Sequence, residues 1–289
     1  MTLNLAQVRA FVAVVDSGGF QEAARRLGCA QPTVTQLVRK LETGLAAQLV
    51  VRGRRGALPT PDGARFLPHA RLLLSAEQRA VASVAGRSLA IGASGNVGTY
   101  LLPPLVRRFG ELSGQGPELV IATNPEIAER VEAGEVDLAV MEWWDGRPGF
   151  TAEVWRRERL VVIVAPDHPW AHDGSIPRAW LLEVAMLGGE AGSGTGRLLQ
   201  GLFGDEAARV RVTMNLGSTA AVKEAVKAGL GISLVFLSSV RDEVLAGSLC
   251  ALDLDGAPIE KELFVVMPEN VPPTAPSARF RSLLLEQRP

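Results

Sequence analysis

The segment FQEAARRLGCAQPTVTQLVRKLE, residues 20–42, constrains this chain more than any other stretch. Val34, Leu37, Val38 and Leu41 recur at i, i+3, i+4 and i+7, which predicts one buried stripe on a helix that begins near Gln31. The face left over carries Gln31, Thr33, Thr35, Gln36, Arg39 and Lys40. These are amides, hydroxyls and two cations, where a solvated helix face would mix Glu with Lys. Pro32 suits a first helical turn, because its missing N–H would have no partner there, and it sets the entry angle. Phe20 to Leu27 reads as a shorter helix with Ala23, Ala24 and Leu27 turned inward, and Gly28 can take the left-handed conformation of a sharp turn. Upstream, Asn4 can cap a helix with Gln7 three residues on, and Leu5, Val8, Phe11, Val12 and Val15 form its stripe before Gly18 and Gly19.

Two helices joined by so tight a turn, the second with an exposed polar row, predict a helix-turn-helix. One helix braces across the DNA backbone and the next enters the major groove. Gln31, Thr33, Thr35 and Gln36 then have the donors and acceptors to read base edges, and Arg39 and Lys40 can meet phosphates. The following LVVRGRRGALPT, an apolar pair and then Arg52, Arg54 and Arg55 among glycines, reads as a two-stranded wing. Its arginines would enter a minor groove or grip the backbone. Charge points the same way. The chain carries a net −1, yet residues 1–88 hold twelve Lys and Arg against five Asp and Glu, about +7, which leaves about −8 for the remainder. Double-stranded DNA is the natural partner of the first part, although a solvated basic face would also explain the charge taken alone.

From Pro61 to about Arg87 the sequence is helical again, with Phe66, Leu67, Leu73, Leu74, Val81 and Val84 among polar residues. A helix this long and partly apolar predicts a dimerisation seam, the alternative being a core helix of the next domain. Beyond Ser88, strand-like runs such as LAIGAS, ELVIAT, LVVIVAP and LFVVMP alternate with helical stretches. That is an α/β sheet protein, expected to be mostly parallel with helices on both faces. Chain crossings near Ala165–Pro166 and Met267–Pro268 would divide it into two lobes. The expected organisation is a DNA-binding domain at 1–60, a linker helix at 61–87 and an α/β domain at 88–289, with lobe I at 88–165 and 268–289 and lobe II at 166–267.

Three small-residue turns in the α/β part each lead into a helix: Ser94, Gly95, Asn96, Val97 and Thr99 in the first, Ser193 and Thr195 in the second, Ser218 and Thr219 in the third. Helix N-termini present unpaired N–H groups and the positive end of the dipole, so three of them around one cleft would hold a small anion. The alternative is that each hydroxyl caps its own helix. No cofactor motif accompanies them: the glycine clusters at 92–98 and 192–196 fit neither nucleotide-binding fingerprint. No G-x-S-x-G elbow occurs with a plausible Asp and His, and three histidines leave little acid–base chemistry, which argues against an enzyme. His168 and His172 flank Pro169 and predict an exposed turn, not a zinc site. Cys29 and Cys250 fit neither a disulfide framework nor a metal site, and Cys29 is expected to be a small buried filler. Trp143 and Trp144, beside Glu142, are expected on a lobe surface or dimer contact, the alternative being a ligand cage. With no signal-peptide pattern and no apolar run long enough to span a bilayer, the expectation is a soluble cytoplasmic protein with no membrane partner.

Residues 5–63 strongly resemble the winged helix-turn-helix of LysR-type transcriptional regulators. The resemblance rests on LAQVRAFVAVVDSGGFQEAARRLGCAQPTVTQLVRKLE, followed by Leu45, Leu49, Arg52, Arg55, Leu58, Thr60 and Gly63. The α/β part matches through IGASGNVGTYLLPPLVRRF, EAGSGTG and GSTAAVKEAVKAGLGISLV, and its first and last segments look most like regulators of carbon dioxide fixation or sulfur assimilation. The resemblance implies a two-lobed effector domain of the periplasmic-binding-protein type and a linker helix that pairs chains. It also implies a homotetramer built of two homodimers on a promoter operator, and a small ligand in the cleft that alters DNA bending and recruitment of RNA polymerase. Pocket contacts of sulfur-related members match Ser94, Asn96 and Val97, with Thr219 or its neighbour from the second lobe. There are departures. Ala30 and Gly19 stand where the family has capping serines, and Gly189, Ala191 and Gly196 replace two arginines and a proline, with Arg197 one place along as the substitute cation. The rival reading is a small-molecule-binding or enzymatic α/β protein with an accessory nucleic-acid-binding domain.

Overall fold

Asn4 starts the first helix through its side chain. Its Oδ1 accepts from the backbone N–H groups of Ala6 at 2.9 Å and Gln7 at 3.4 Å, two donors the first turn cannot pair by itself. In this computed structural model, which describes residues 2–53, 56–84, 88–189 and 194–287, the helix is α1, Leu5–Asp16. Asn4→Ala is expected to lower the stability of this unit by about 1 kcal/mol, read as an earlier midpoint in urea; an unchanged midpoint would show the cap to be idle. The chain divides into two compact units, residues 1–87 with 132–135, and residues 88–131 with 136–289.

In the first unit α2 (Phe20–Leu27) ends at Gly28, whose φ of 64° lets its N–H reach Arg25 O and that of Cys29 reach Ala24 O. Helix α3 (Gln31–Leu45) follows two residues later. Val34, Val38 and Leu41 are buried against Val8 and Phe11 of α1, and Leu37 packs at the margin. Cys29 is exposed and does not fill the core, because the turn that follows Gly28 carries it outward. Strands β1 (Val50–Gly53) and β2 (Gly56–Pro59) form an antiparallel ribbon with Val50 opposite Pro59 and Gly53 opposite Gly56. Glu42 anchors it from α3: its Oε1 accepts from Leu49 N at 2.8 Å and Val50 N at 3.1 Å. Helix α4 (Pro61–Val84) starts on Thr60, whose hydroxyl accepts from Gly63 N at 3.0 Å and donates to Gln48 O at 2.6 Å. Phe66, Leu67 and Leu74 turn into the core of this unit, with the Phe66 ring 5.6 Å from that of Phe11, while Leu73 and Val81 stay 38% and 65% exposed. Only part of the stripe read from the sequence is therefore left for another chain.

The second unit begins with β3 (Ala90–Ser94), a π-helical turn at Val97–Leu101, α5 (Pro103–Ser113), β4 (Glu118–Ala122), α6 (Asn124–Ala133) and β5 (Leu138–Met141). Next come β6 (Phe150–Val164), β7 (Ser175–Ile176), β8 (Ala185–Gly188), α7 (Thr195–Phe203), β9 (Arg211–Asn215), α8 (Thr219–Lys227), β10 (Ser233–Phe236) and α9 (Arg241–Leu245). β11 (Cys250–Leu254), β12 (Glu260–Pro268) and α10 (Pro276–Glu286) complete it. The central strand order is β4-β3-β5-β12-β6-β11-β7, with β10 also paired to β6 and with β8 beside β9.

The sheet is mixed, not mostly parallel. β3 pairs in parallel with β4 and β5, as β8 does with β9 and β11 with β7, but β12 is antiparallel to β5 and β6, and β6 is antiparallel to β10 and β11. The lobe crossings also differ from the positions expected at Ala165–Pro166 and Met267–Pro268. β6 serves both lobes: its residues 150–154 and 156–159 pair with β12, and its residues 160–164 pair with β10 and β11. The passage lies inside these strands, next to a bulge at Trp155 where β12 shifts register between Leu263 and Phe264. A continuous ribbon across both lobes needs no loop there, so turn residues could not mark it. Among the described residues no helix is long and apolar enough to cross a membrane.

Candidate functional site

Two surfaces gather the residues singled out by the sequence. On α3, Gln31, Pro32, Thr33, Gln36, Arg39 and Lys40 are all exposed on the side opposite Val34, Val38 and Leu41. Thr35 is half-buried, and its hydroxyl donates back to Gln31 O at 3.1 Å, which leaves its lone pairs and methyl outward. Ala30 offers no side-chain cap, so the positive end of α3 is not screened by a polar side chain of its own. Arg54 and Arg55 lie outside the described residues, as does the side chain of Arg52; the backbone of Arg52 pairs with Ala57 in the wing.

The second surface is the cleft between the lobes of the larger unit. Ser94 ends β3 fully buried, and among the described residues its Oγ has no hydrogen-bond partner. Buried hydroxyls are nearly always paired, so this one marks a place for a group that would pair it. After Gly95, Asn96 links both lobes: its Nδ2 donates to Glu142 Oε1 at 3.1 Å, and its Oδ1 accepts from Thr219 Oγ1 at 2.6 Å. Glu142 in turn accepts from Lys261 Nζ, and these side chains are only 2% and 10% exposed. Asn124 fixes the Glu142 backbone, accepting from Glu142 N at 2.9 Å and donating to Trp143 O at 3.0 Å. The space bounded by Asn96, Glu142, Thr219 and Lys261 measures about 30 Å³.

This polar end adjoins a wider, mostly apolar hollow of about 490 Å³ lined by Trp143, Met186, Leu199, Val212 and Leu234, with Thr195 and Arg197 at its edge. Arg197 lies 4.2 Å from the centre of the Trp143 ring, a cation–π contact that places a positive charge at the cleft. Trp143 is thus a wall of the cleft, contrary to the lobe-surface expectation, because Asn124 holds its carbonyl and turns it inward; Trp144 instead packs edge-on to Phe150 with Arg147 over its ring.

The other sequence-derived residues divide. Thr219 and Asn96 face each other across the cleft. Val97 is buried in the core and offers only its backbone, and Thr99 is exposed on the turn. Ser218 caps α8, accepting from Ala221 N at 3.2 Å, so its hydroxyl is spent on its own helix. Ala191 and Ser193 lie outside the described residues. Glu142, Lys261 and Asn124 were not anticipated. Glu142 had one legible signal, a lone acid just past the carboxyl end of the apolar run LAVM, where open α/β sheets bind ligands. Lys261 had none, since it comes from an antiparallel strand far along the chain.

With this geometry in view, comparison with known proteins is informative. Residues 5–64 match the family model "Bacterial regulatory helix-turn-helix protein, lysR family", and residues 82–289 match "LysR substrate binding domain". PtxE of Stutzerimonas stutzeri, named as a candidate HTH-type transcriptional regulator, is 47% identical over 195 residues, which cover 67% of this chain and all of that protein. The RuBisCO operon transcriptional regulator of Allochromatium vinosum is 29% identical over 99% of this chain and 97% of its own. The regulatory domain of Synechocystis PCC6803 CcmR, solved in complex with 2-PG, superposes with a TM-score of 0.63 at 26% identity, covering 70% of this chain and 99% of that one. Both halves of the chain match, in the right order and across nearly its full length; it belongs to the LysR family of DNA-binding transcriptional regulators, whose members pair a helix-turn-helix with an effector-binding domain and are not enzymes.

Proposed function

We propose that α3 reads an operator in the major groove and that a small anion in the inter-lobe cleft sets the regulatory output. The observation that carries the DNA half is the uniformly exposed row of Gln31, Thr33, Gln36, Arg39 and Lys40 over a fully apolar buried stripe. Gln31, Pro32, Thr33, Thr35 and Gln36 face base edges; Arg39 and Lys40, with Arg52, Arg54 and Arg55 of the wing, contact phosphates or the minor groove. Residues 1–60 are the DNA-binding domain, 61–87 the linker that pairs chains into dimers and tetramers, and 88–289 the two-lobed effector domain, with the passage between its lobes inside β6 and β12. The protein works in the cytoplasm and acts on RNA polymerase at the promoter.

The cleft half rests on the helix N-termini at Thr195 and Thr219 and the cation Lys261 around the polar end, on Arg197 beside the adjoining hollow, and on the buried Ser94 hydroxyl two residues before Asn96. Gly95, Asn96, Val97, Thr99, Ser193 and Ser218 complete the proposed shell, largely through backbone N–H groups. The 2-PG bound to the CcmR regulatory domain supports a small anion as the class of ligand.

Binding to a panel of single-base operator variants tests the DNA half. Gln31→Ala is expected to relax discrimination at one operator position by about 1–3 kcal/mol, while Arg39→Ala weakens every sequence alike and flattens the salt dependence. Equal loss on all sequences for Gln31→Ala would remove the base-reading role.

A further inference from the structure

We infer that Glu142 is a built-in stand-in for the effector anion: in the ligand-free protein its carboxylate occupies the place on Lys261 that the effector's anionic group takes over. The inference deepens the anion reading of the cleft and rests on it.

The geometry around the carboxylate is that of an anion site already filled. Lys261 Nζ binds one oxygen of Glu142 and Asn96 Nδ2 the other. Gly194, the residue before α7, approaches Lys261 so closely that a Cβ there would lie 3.3 Å from Nζ, so the positive end of a nine-residue helix abuts the ammonium group. Thr219, the first residue of α8, reaches the same group through Asn96. Two helix N-termini and a lysine would repel one another if left to themselves, and Glu142 is the carboxylate that balances them. It is almost wholly withdrawn from water, where an ionised carboxylate persists only when paired and hydrogen-bonded.

The polar end of the cleft holds about 30 Å³, and both oxygens of Glu142 are already bound there, one by Lys261 and one by Asn96. An anion that reaches Lys261 from the adjoining hollow therefore competes with a group already in place. Among the described residues lining this end Glu142 is the group of matching charge, and it immediately precedes a loop, Trp143 to Gly149, that leads into β6. Its departure also removes the acceptor that holds Asn96, and Asn96 is the residue bonded to Thr219 of the other lobe. Exchange of one anion for the other thus acts directly on a contact between the lobes, the kind of discrete rearrangement by which a small ligand shifts a two-state equilibrium.

The test is calorimetric titration of the full-length protein with 2-PG, inorganic phosphate and sulfate. Glu142→Gln keeps shape and removes the competing charge, and it is expected to tighten binding of at least one of the three by about tenfold, the scale of one charged hydrogen bond. Lys261→Met is expected to weaken binding by at least about tenfold, and Glu142→Gln added to Lys261→Met to bring no gain. That last comparison separates replacement from simple repulsion, which would persist without the lysine. If wild type binds an anion but Glu142→Gln does not bind it more tightly, or gains as much without Lys261, the stand-in role is overturned while the anion reading survives. If neither wild type nor Glu142→Gln binds any of them, both fall. Should Lys261→Met not fold, Lys261→Gln takes its place in both comparisons.

Discussion

Lys223→Met is expected to destabilise the effector-binding unit by about 3 kcal/mol, the low end of the range for breaking a buried ion pair from one side. Lys223 projects from α8 into a setting where its charge is fully used. Its Nζ donates to Ser239 O at 2.9 Å, pairs with Glu243 at 2.6 Å and lies 5.0 Å from the centre of the Tyr100 ring. The paired side chains are only 11% and 18% exposed. Met fills the same volume but leaves Glu243 and a carbonyl without their cation. Tryptophan fluorescence will read the loss cleanly, because all five tryptophans lie in this unit, as a fall of about 6–12 °C in its midpoint. Lys223→Met combined with Glu243→Leu should recover most of it, since an apolar pair can replace an ionic one at little cost. A single variant as stable as wild type would show the pair to be energetically idle.

The same pair sets a pH window. Burial pulls the Lys223 ammonium down, but the hydrogen bond to Glu243 and the neighbouring Tyr100 and Glu243 charges outweigh it, so the group is held above the usual lysine value of 10.5. Burial pushes Glu243 up, and Lys223 outweighs that, so it is held below 4.5. The lysine contribution is therefore complete below 10.5 and fades as pH rises through the raised value. The glutamate contribution is complete above 4.5 and fades as pH falls through the lowered one. Wild type and Lys223→Met should differ most on the plateau between these limits and converge outside it. A difference that stays constant from pH 3 to 8 would contradict this account.

Much of the fold was legible because the signals were local. The α1 cap on Asn4, the left-handed Gly28 and the buried row Val34, Val38 and Leu41 each follow from a handful of neighbouring residues. The alternation of strands with helices in the α/β part, α7 and α10 among them, was legible in the same way. What was hidden depends on distant partners. The first ten residues of β6, FTAEVWRRER, carry too many charges to read as a strand; Arg157 and Arg159 are paid for by Glu262 and Asp253 on neighbouring strands. The two-lobe strands and the Glu142–Lys261 pair are likewise products of tertiary pairing, 119 residues apart in the second case. In the cleft, Ser and Thr were visible as residue types, but only coordinates separate Ser218, spent on its own helix, from Thr219, which faces Asn96. Cys29 misled because small apolar residues are buried on average, and a turn can override the average.

Gly63→Ala should disturb the DNA-binding unit strongly, because the new carbon has nowhere to go. A Cβ on Gly63 would stand 2.0 Å from Leu49 O and 3.0 Å from its carbonyl carbon, both backbone atoms. Leu49 cannot step aside cheaply: its N–H is held by Glu42, and its carbonyl accepts from Thr60 N at 2.9 Å. Moving either end releases the base of the wing and the Thr60 cap of α4 together. The expected cost is about 3 kcal/mol, the upper part of the range for overpacking, with a weakening of DNA binding because β1 and β2 leave their register with α3. Tryptophan fluorescence is blind to this unit, so amide hydrogen exchange in α1 and α3 is the proper measurement, and faster exchange there with β3 and β5 unchanged is the expected pattern. Gly19→Ser is the control of opposite sign. Gly19 has extended backbone at φ 178°, nothing within 4 Å of a Cβ, and no side chain to cap α2, so a serine should stabilise by a few tenths of a kcal/mol, roughly the difference between serine and glycine caps. If both variants exchange like wild type, the wing base is not the rigid joint these contacts describe.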